Sequence, residues 1–191
     1  NIINIFNKNN LANDCDKDNQ RFEAIKLLSH GILLAQNEHL SDASTILTEA
    51  LKIFENIEEM DSYYYTLGWL CHVYRLLGLV NEYNSIKSEI KQAIYGDKIS
   101  NDQIKLFVIS KYGEILSDEG DIDEAVLIAE KSLNSAEEIY DESNPEIFSF
   151  LYKLCSLYID LGELTKSKGL IDRMRALKLE SKSDKTDYYS A

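Results

Sequence analysis

The chain has 191 residues, 45% of them hydrophobic, and its 33 acidic and 20 basic side chains give a net charge of −13. One proline, eight glycines and three cysteines exclude collagen-like, proline-rich and disulfide-stapled chains. No apolar run approaches the roughly 20 residues that cross a bilayer, and so acidic a surface repels phosphate backbones. We therefore expect neither membrane nor nucleic acid as partner.

The first 20 residues are a polar leader. Residues 7–20 are rich in asparagine and aspartate, which predicts a poorly ordered segment, and residues 2–6 resemble the remnant of a helix. The sequence starts with asparagine and has no signal-peptide pattern, so we expect a piece of a larger protein. The lack of a disulfide pattern favours the cytoplasm.

Residues 21–180 repeat themselves at a fixed period. Gly78, Gly120 and Gly162 follow one another at intervals of 42 residues. Four further columns hold a Leu or Ile, a small residue, an aromatic or Leu, and an aliphatic. Their members are Leu67, Ile109 and Leu151; Cys71, Gly113 and Cys155; Tyr74, Leu116 and Tyr158; Val80, Ile122 and Leu164. An earlier copy contains Leu27, Gly31, Leu34 and Leu40, with Glu38 in the glycine position.

The columns predict two antiparallel helices per repeat. Apolar positions in 62–78 advance by three and four residues, as on one helix face, and the final glycine permits a left-handed turn. We predict first helices at 22–37, 62–77, 102–119 and 145–161, and second helices at 41–57, 81–95, 121–140 and 163–178. The repeats span 21–60, 61–102, 103–144 and 145–180, and 181–191 is a polar tail or the start of a fifth repeat.

Several predicted helix starts carry capping signals. They are Asp121 with Glu124, Ser100 with Gln103, and Asn144 before Pro145.

These columns resemble the tetratricopeptide repeat (TPR). The third copy matches best, through Ile109, Gly113, Leu116, Gly120, Ile122, Ala125 and Ala129. The 42-residue period is similar to the long-repeat subclass of kinesin light chains, bacterial regulators and peptide-pheromone receptors. The resemblance implies an all-α, right-handed α-solenoid of about four TPR-like helix-turn-helix repeats, whose first helices line a concave groove. Folds of this kind are scaffolds, so the resemblance indicates protein binding and leaves the partner open.

The residues between the core columns of the first helices are predicted to face this groove. The candidate partner-binding residues are Tyr65, Trp69, His72, Arg75, Phe107, Lys111, Glu114, Tyr152, Lys153 and Asp160. Rigid aromatics beside basic groups favour a protein or peptide ligand, possibly acidic, in extended or helical form. The alternative interpretation places Trp69 in the core and leaves the lysines solvated.

The sequence lacks catalytic and phosphate-binding motifs, and its three histidines have no metal-ligand spacing. We therefore predict a non-catalytic module without cofactor or metal, the sensory or scaffolding part of a larger regulatory protein. The main alternative is a peptide-pheromone receptor domain whose groove closes on a short peptide. A self-contained acidic inhibitor and an enzyme are the remaining alternatives.

Overall fold

The computed structural model describes the backbone of residues 2–141 and 144–187 and the side chains of 16–141 and 144–177. Within these ranges the chain forms eight α-helices and no strand. The helices are α1 (Ile2–Gln36), α2 (Leu40–Asn56), α3 (Met60–Leu77), α4 (Val80–Tyr95), α5 (Asp102–Glu119), α6 (Ile122–Ile139), α7 (Pro145–Asp160) and α8 (Leu164–Asp187). The all-α prediction is confirmed.

The first and last helices are longer than the predicted 22–37 and 163–178. Residues 7–20 lie within α1, and residues 181–187 lie within α8. Asparagine and aspartate are weak helix formers, but no glycine or proline precedes Gly31 to break the helix. Residues 188–191, where a fifth repeat would continue, lie outside the described residues.

The chain divides into two compact units, Asn1–Ile104 and Lys105–Ala191. In unit 1, α1 packs on α2, α2 on α3, and α3 on α4. In unit 2, α6 packs on α7 and α7 on α8. Each unit is thus built of consecutive helices that pack on their sequence neighbours, as in repeat proteins.

The repeat columns form the core of each unit. Leu67 and Cys71 are buried on α3, Ile109 on α5, and Leu151 and Cys155 on α7. Burying one such Leu or Ile side chain contributes about 1.5–3 kcal/mol. The three-and-four spacing read from the sequence therefore marks the buried face of the first helices.

The repeat glycines end the first helices in the left-handed conformation. Gly78, Gly120 and Gly162 have φ angles of 72°, 80° and 76°. Glu38 occupies the equivalent position in the first repeat with a φ of 63°. For a residue with a Cβ this conformation costs about 1–2 kcal/mol. The turn between α1 and α2 is therefore strained at Glu38, which replaces the glycine of the other repeats.

The predicted capping signals have different outcomes. The side chain of Asn144 accepts a hydrogen bond from the Glu146 amide at 2.9 Å, and Pro145 opens α7 as predicted. Asp121 precedes α6, but its side chain makes no capping hydrogen bond, so the predicted capping box with Glu124 is wrong. Asp121 has a ψ of 65°, whereas Asn144 has the extended ψ of 128° that favours side-chain capping.

Ser100 does not cap α5 either. Asn101 Oδ1 accepts a hydrogen bond from the Ile104 amide at 3.0 Å and caps this helix. Ser100 instead donates through both its amide and its hydroxyl to the Asp61 carboxylate, at 2.8 and 2.6 Å. Burial acts to raise the pKa of Asp61, but these hydrogen bonds and one from Asn101 hold it below its ordinary value. The carboxylate ties the chain after α4 to the start of α3.

Two tyrosines of the aromatic column also join neighbouring repeats. The Tyr74 hydroxyl on α3 lies 3.1 Å from Thr48 Oγ1 on α2. The Tyr158 hydroxyl on α7 donates to Glu130 on α6. Partial burial and the Glu130 carboxylate raise the pKa of Tyr158 to about 12. In both pairs the first helix of a repeat is bonded to the second helix of the preceding one.

Candidate functional site

Unit 2 brings five of the ten candidate residues onto one surface between α5 and α7. Helix α5 supplies Phe107, Lys111 and Glu114, whose spacing of four and three residues places them on one face. Helix α7 supplies Tyr152 and Lys153. Tyr152 is 62% exposed, so an aromatic ring stands at this surface in contact with solvent.

The centre of this surface is a carboxylate held by two lysines. Lys111 Nζ lies 2.7 Å from Glu114 Oε2, and Lys153 Nζ lies 2.6 Å from Glu114 Oε1. Lys153 Nζ also donates to Ser110 Oγ at 3.1 Å. Lys111 Nζ is 6.0 Å from the centroid of the Phe107 ring, at the outer limit of a cation–π contact. We call Lys111, Glu114 and Lys153 the lysine–carboxylate clasp.

The clasp changes the charge expected of this surface. Burial acts to raise the pKa of Glu114, but the hydrogen bonds and positive charges of Lys111 and Lys153 hold it below its ordinary value. Glu114 therefore stays ionised and cancels one lysine. Since Asp118 also lies on this surface, the positive and negative charges of these four side chains balance. From the two lysines the sequence indicated basic groups on this surface, whereas the structure shows a surface of mixed charge.

A cavity of about 220 Å³ opens beside the clasp. Its lining includes small residues, Gly113 on α5 with Ala129 and Ser132 on α6. The lining residues are Ser110, Gly113, Glu114, Ser117, Asp118, Ala129, Ser132, Phe150, Tyr152, Lys153, Ser156 and Leu157. The volume is at the lower edge of small-molecule sites and suits a single side chain of a bound peptide.

The sequence analysis did not identify this cavity, although one signal pointed to it. The small-residue column holds cysteine in two repeats but glycine in the third, at Gly113. A Cβ at Gly113 would lie 3.1 Å from Ile128 Cγ2, so α5 and α6 approach closely there. The glycine at 113 thus marks a close helix contact, and the adjoining cavity becomes visible only once α5, α6 and α7 are in place.

The other five candidate residues lie elsewhere. Asp160 is exposed at the end of α7 and does not line the cavity. Tyr65, Trp69, His72 and Arg75 lie along α3 in unit 1, each partly buried.

Trp69 combines partial exposure with a buried polar atom. Its Nε1 atom is buried, although the residue as a whole is partly exposed. Its neighbours Gly68 and Leu70 are buried. The burial of the indole Nε1 favours the alternative that Trp69 contributes to packing.

The clasp also places the Ser110 hydroxyl beside Lys153. Ser110 and Lys153 have the separation of a serine–lysine pair, but a catalytic lysine must accept a proton. Here the Lys153 ammonium is engaged by a carboxylate, and a charged ammonium has no lone pair. Among the described side chains no group of His, Cys, Asp and Glu is placed to hold a metal ion. None of the described helical segments is long and apolar enough to cross a bilayer.

The chain has a TPR-like repeat fold, as its similarity to solved structures shows. A putative kinesin light chain of Podosopora anserina with nearly identical TPR-like repeats matches with a TM-score of 0.61 and 15% identity, over 83% of this chain and 76% of that one. A single-residue variant of the same repeats gives a TM-score of 0.64 at 15% identity, over 84% and 76%.

BtubC (BKLC) from P. vanneervenii is similar as well, with a TM-score of 0.68 and 17% identity. The match covers 83% of this chain and 64% of BtubC. No family model matches the sequence, and no curated protein matches it. At these identities the likeness establishes the fold and confirms the resemblance read from the glycine columns.

Proposed function

We propose that this chain is a non-catalytic module that binds a protein or peptide through the α5–α7 surface of unit 2. The observation that carries the proposal is the combination of an exposed aromatic, Tyr152, with a side-chain-sized cavity and a polar clasp beside it. Interfaces use rigid aromatics as anchors and surround them with polar groups that fix orientation. A TPR-like scaffold presents such surfaces on helices that are held by their neighbours.

The setting that fits this module is the sensory or scaffolding part of a larger regulatory protein. The favoured ligand is an acidic peptide whose carboxylate takes the place of Glu114 on Lys111 and Lys153, since the four charged side chains of the ligand-free surface balance. The peptide-pheromone receptor and the cytoplasmic location stay predictions of the sequence.

Peptides selected from a random library against this chain test the proposal. Tyr152→Ser is expected to weaken the selected binders about tenfold or more, because hot-spot aromatics contribute about 2 kcal/mol. Leu127→Ser on α6 is the matched control, since Leu127 is 63% exposed and Tyr152 is 62% exposed. Isothermal titration calorimetry of both variants measures the difference. Equal affinity of the Tyr152 variant and the parent would place binding elsewhere.

A further inference from the structure

We infer that Lys111 and Lys153 form a subsite for a side-chain carboxylate of an acidic peptide, and that Glu114 fills this subsite in the ligand-free chain. The inference rests on the proposed function and names the chemistry of its ligand. The clasp itself shows what the subsite accepts, since each oxygen of one glutamate carboxylate is bonded to a different lysine, at 2.7 and 2.6 Å.

Glu114 is in a position to be displaced. The side chains of Lys111, Glu114 and Lys153 are 27%, 38% and 41% exposed, so all three side chains of the clasp lie at the water boundary. Ion pairs in contact with water contribute little to stability. A ligand carboxylate can therefore replace Glu114 on the lysines while Glu114 turns into solvent.

The cavity gives the ligand a second contact. Lys153 and Glu114 both line the cavity, so a carboxylate on the lysines lies next to this cavity. An apolar side chain adjacent to the acidic residue of the peptide fills that space. Glu114 would then act as a selectivity residue. Because it already neutralises the lysines, a ligand carboxylate displaces it only when the same peptide also places an apolar side chain in the cavity.

The test uses a fluorescein-labelled, C-amidated octapeptide of alternating leucine and glutamate, and a second peptide with glutamine in place of glutamate. Amidation removes the terminal carboxylate, and the label carries the same charge in both peptides, so the two peptides differ in charge only at their side-chain carboxylates. Glu114→Gln keeps the side-chain shape and removes the negative charge. Fluorescence anisotropy is expected to show the glutamate peptide binding this variant about tenfold more tightly than the parent, with the glutamine peptide unchanged.

Three controls make the result specific. Glu119→Gln removes a carboxylate at the exposed end of the same helix and is expected to leave both affinities unchanged. Adding Lys111→Met and Lys153→Met to Glu114→Gln is expected to abolish the gain. Circular dichroism confirms that each variant is folded.

The inference is overturned if Glu114→Gln binds the glutamate peptide within twofold of the parent, if Glu119→Gln gives the same gain, or if neither protein binds the peptide. A failure of this kind is separate from a failure of the proposed function. Library-selected peptides that depend on Tyr152 would still establish binding at this surface, without the carboxylate subsite.

Discussion

Gly31→Ala is expected to lower the free energy of unfolding by about 2 kcal/mol. A Cβ at Gly31 on α1 would lie 2.6 and 2.7 Å from Cγ and Cδ2 of Leu47 on α2, closer than carbon atoms pack. Leu47 is fully buried and has no room to turn away. Overpacking of this kind costs about 1–3 kcal/mol, and the better helix propensity of alanine returns about 1 kcal/mol at most. Urea denaturation followed by circular dichroism measures the loss.

Gly169→Ala is the matched control for this substitution. Gly169 is also helical, in α8, but a Cβ there meets nothing within 4 Å. No overpacking cost then opposes the higher helix propensity of alanine, and the variant is expected to be more stable by up to about 1 kcal/mol. If both variants shifted stability in the same direction, the close approach of α1 and α2 at Gly31 would be contradicted.

Trp69→Ala is expected to cost about 3 kcal/mol of folding stability. Truncating a buried Phe or Trp costs about 3–5 kcal/mol, and the partial exposure of Trp69 places it at the lower end. Because Trp69 is the only tryptophan of the chain, its fluorescence reports this site alone. Acrylamide is expected to quench it much less than free tryptophan, since the indole Nε1 is buried.

Leu76→Ala provides the comparison on the same helix. Leu76 is 48% exposed, and its truncation is expected to cost under about 1 kcal/mol. The prediction is contradicted if Trp69→Ala is as stable as Leu76→Ala and acrylamide quenches Trp69 fully. Trp69 would then face the solvated groove, as the sequence also allowed.

The repeating core could be predicted from sequence because each column repeats a physical requirement. Leu67, Ile109 and Leu151 are buried in equivalent positions, and the glycines at 78, 120 and 162 adopt the left-handed turn that the period indicated. Such requirements are local to one helix or one turn, so they are visible in the spacing of a single sequence.

Features that depend on two helices at once could not be predicted in this way. The clasp joins residues of α5 and α7, with a separation of 39 positions from Glu114 to Lys153, and no local pattern marks the pair. The cavity is likewise lined by residues of three helices, among them Gly113 on α5, Ala129 on α6 and Ser156 on α7. Helix α1 begins earlier than predicted for another reason: weak helix formers without a breaker do not by themselves end a helix.

The most direct test of the binding surface is an NMR titration of the labelled chain with a library-selected peptide. The account predicts that the largest shifts fall on Tyr152, Lys153 and Ser156 of α7 and on Ser110 and Glu114 of α5. Shifts confined to the exposed face of α6 around Leu127, with the α5 and α7 signals unmoved, would contradict it.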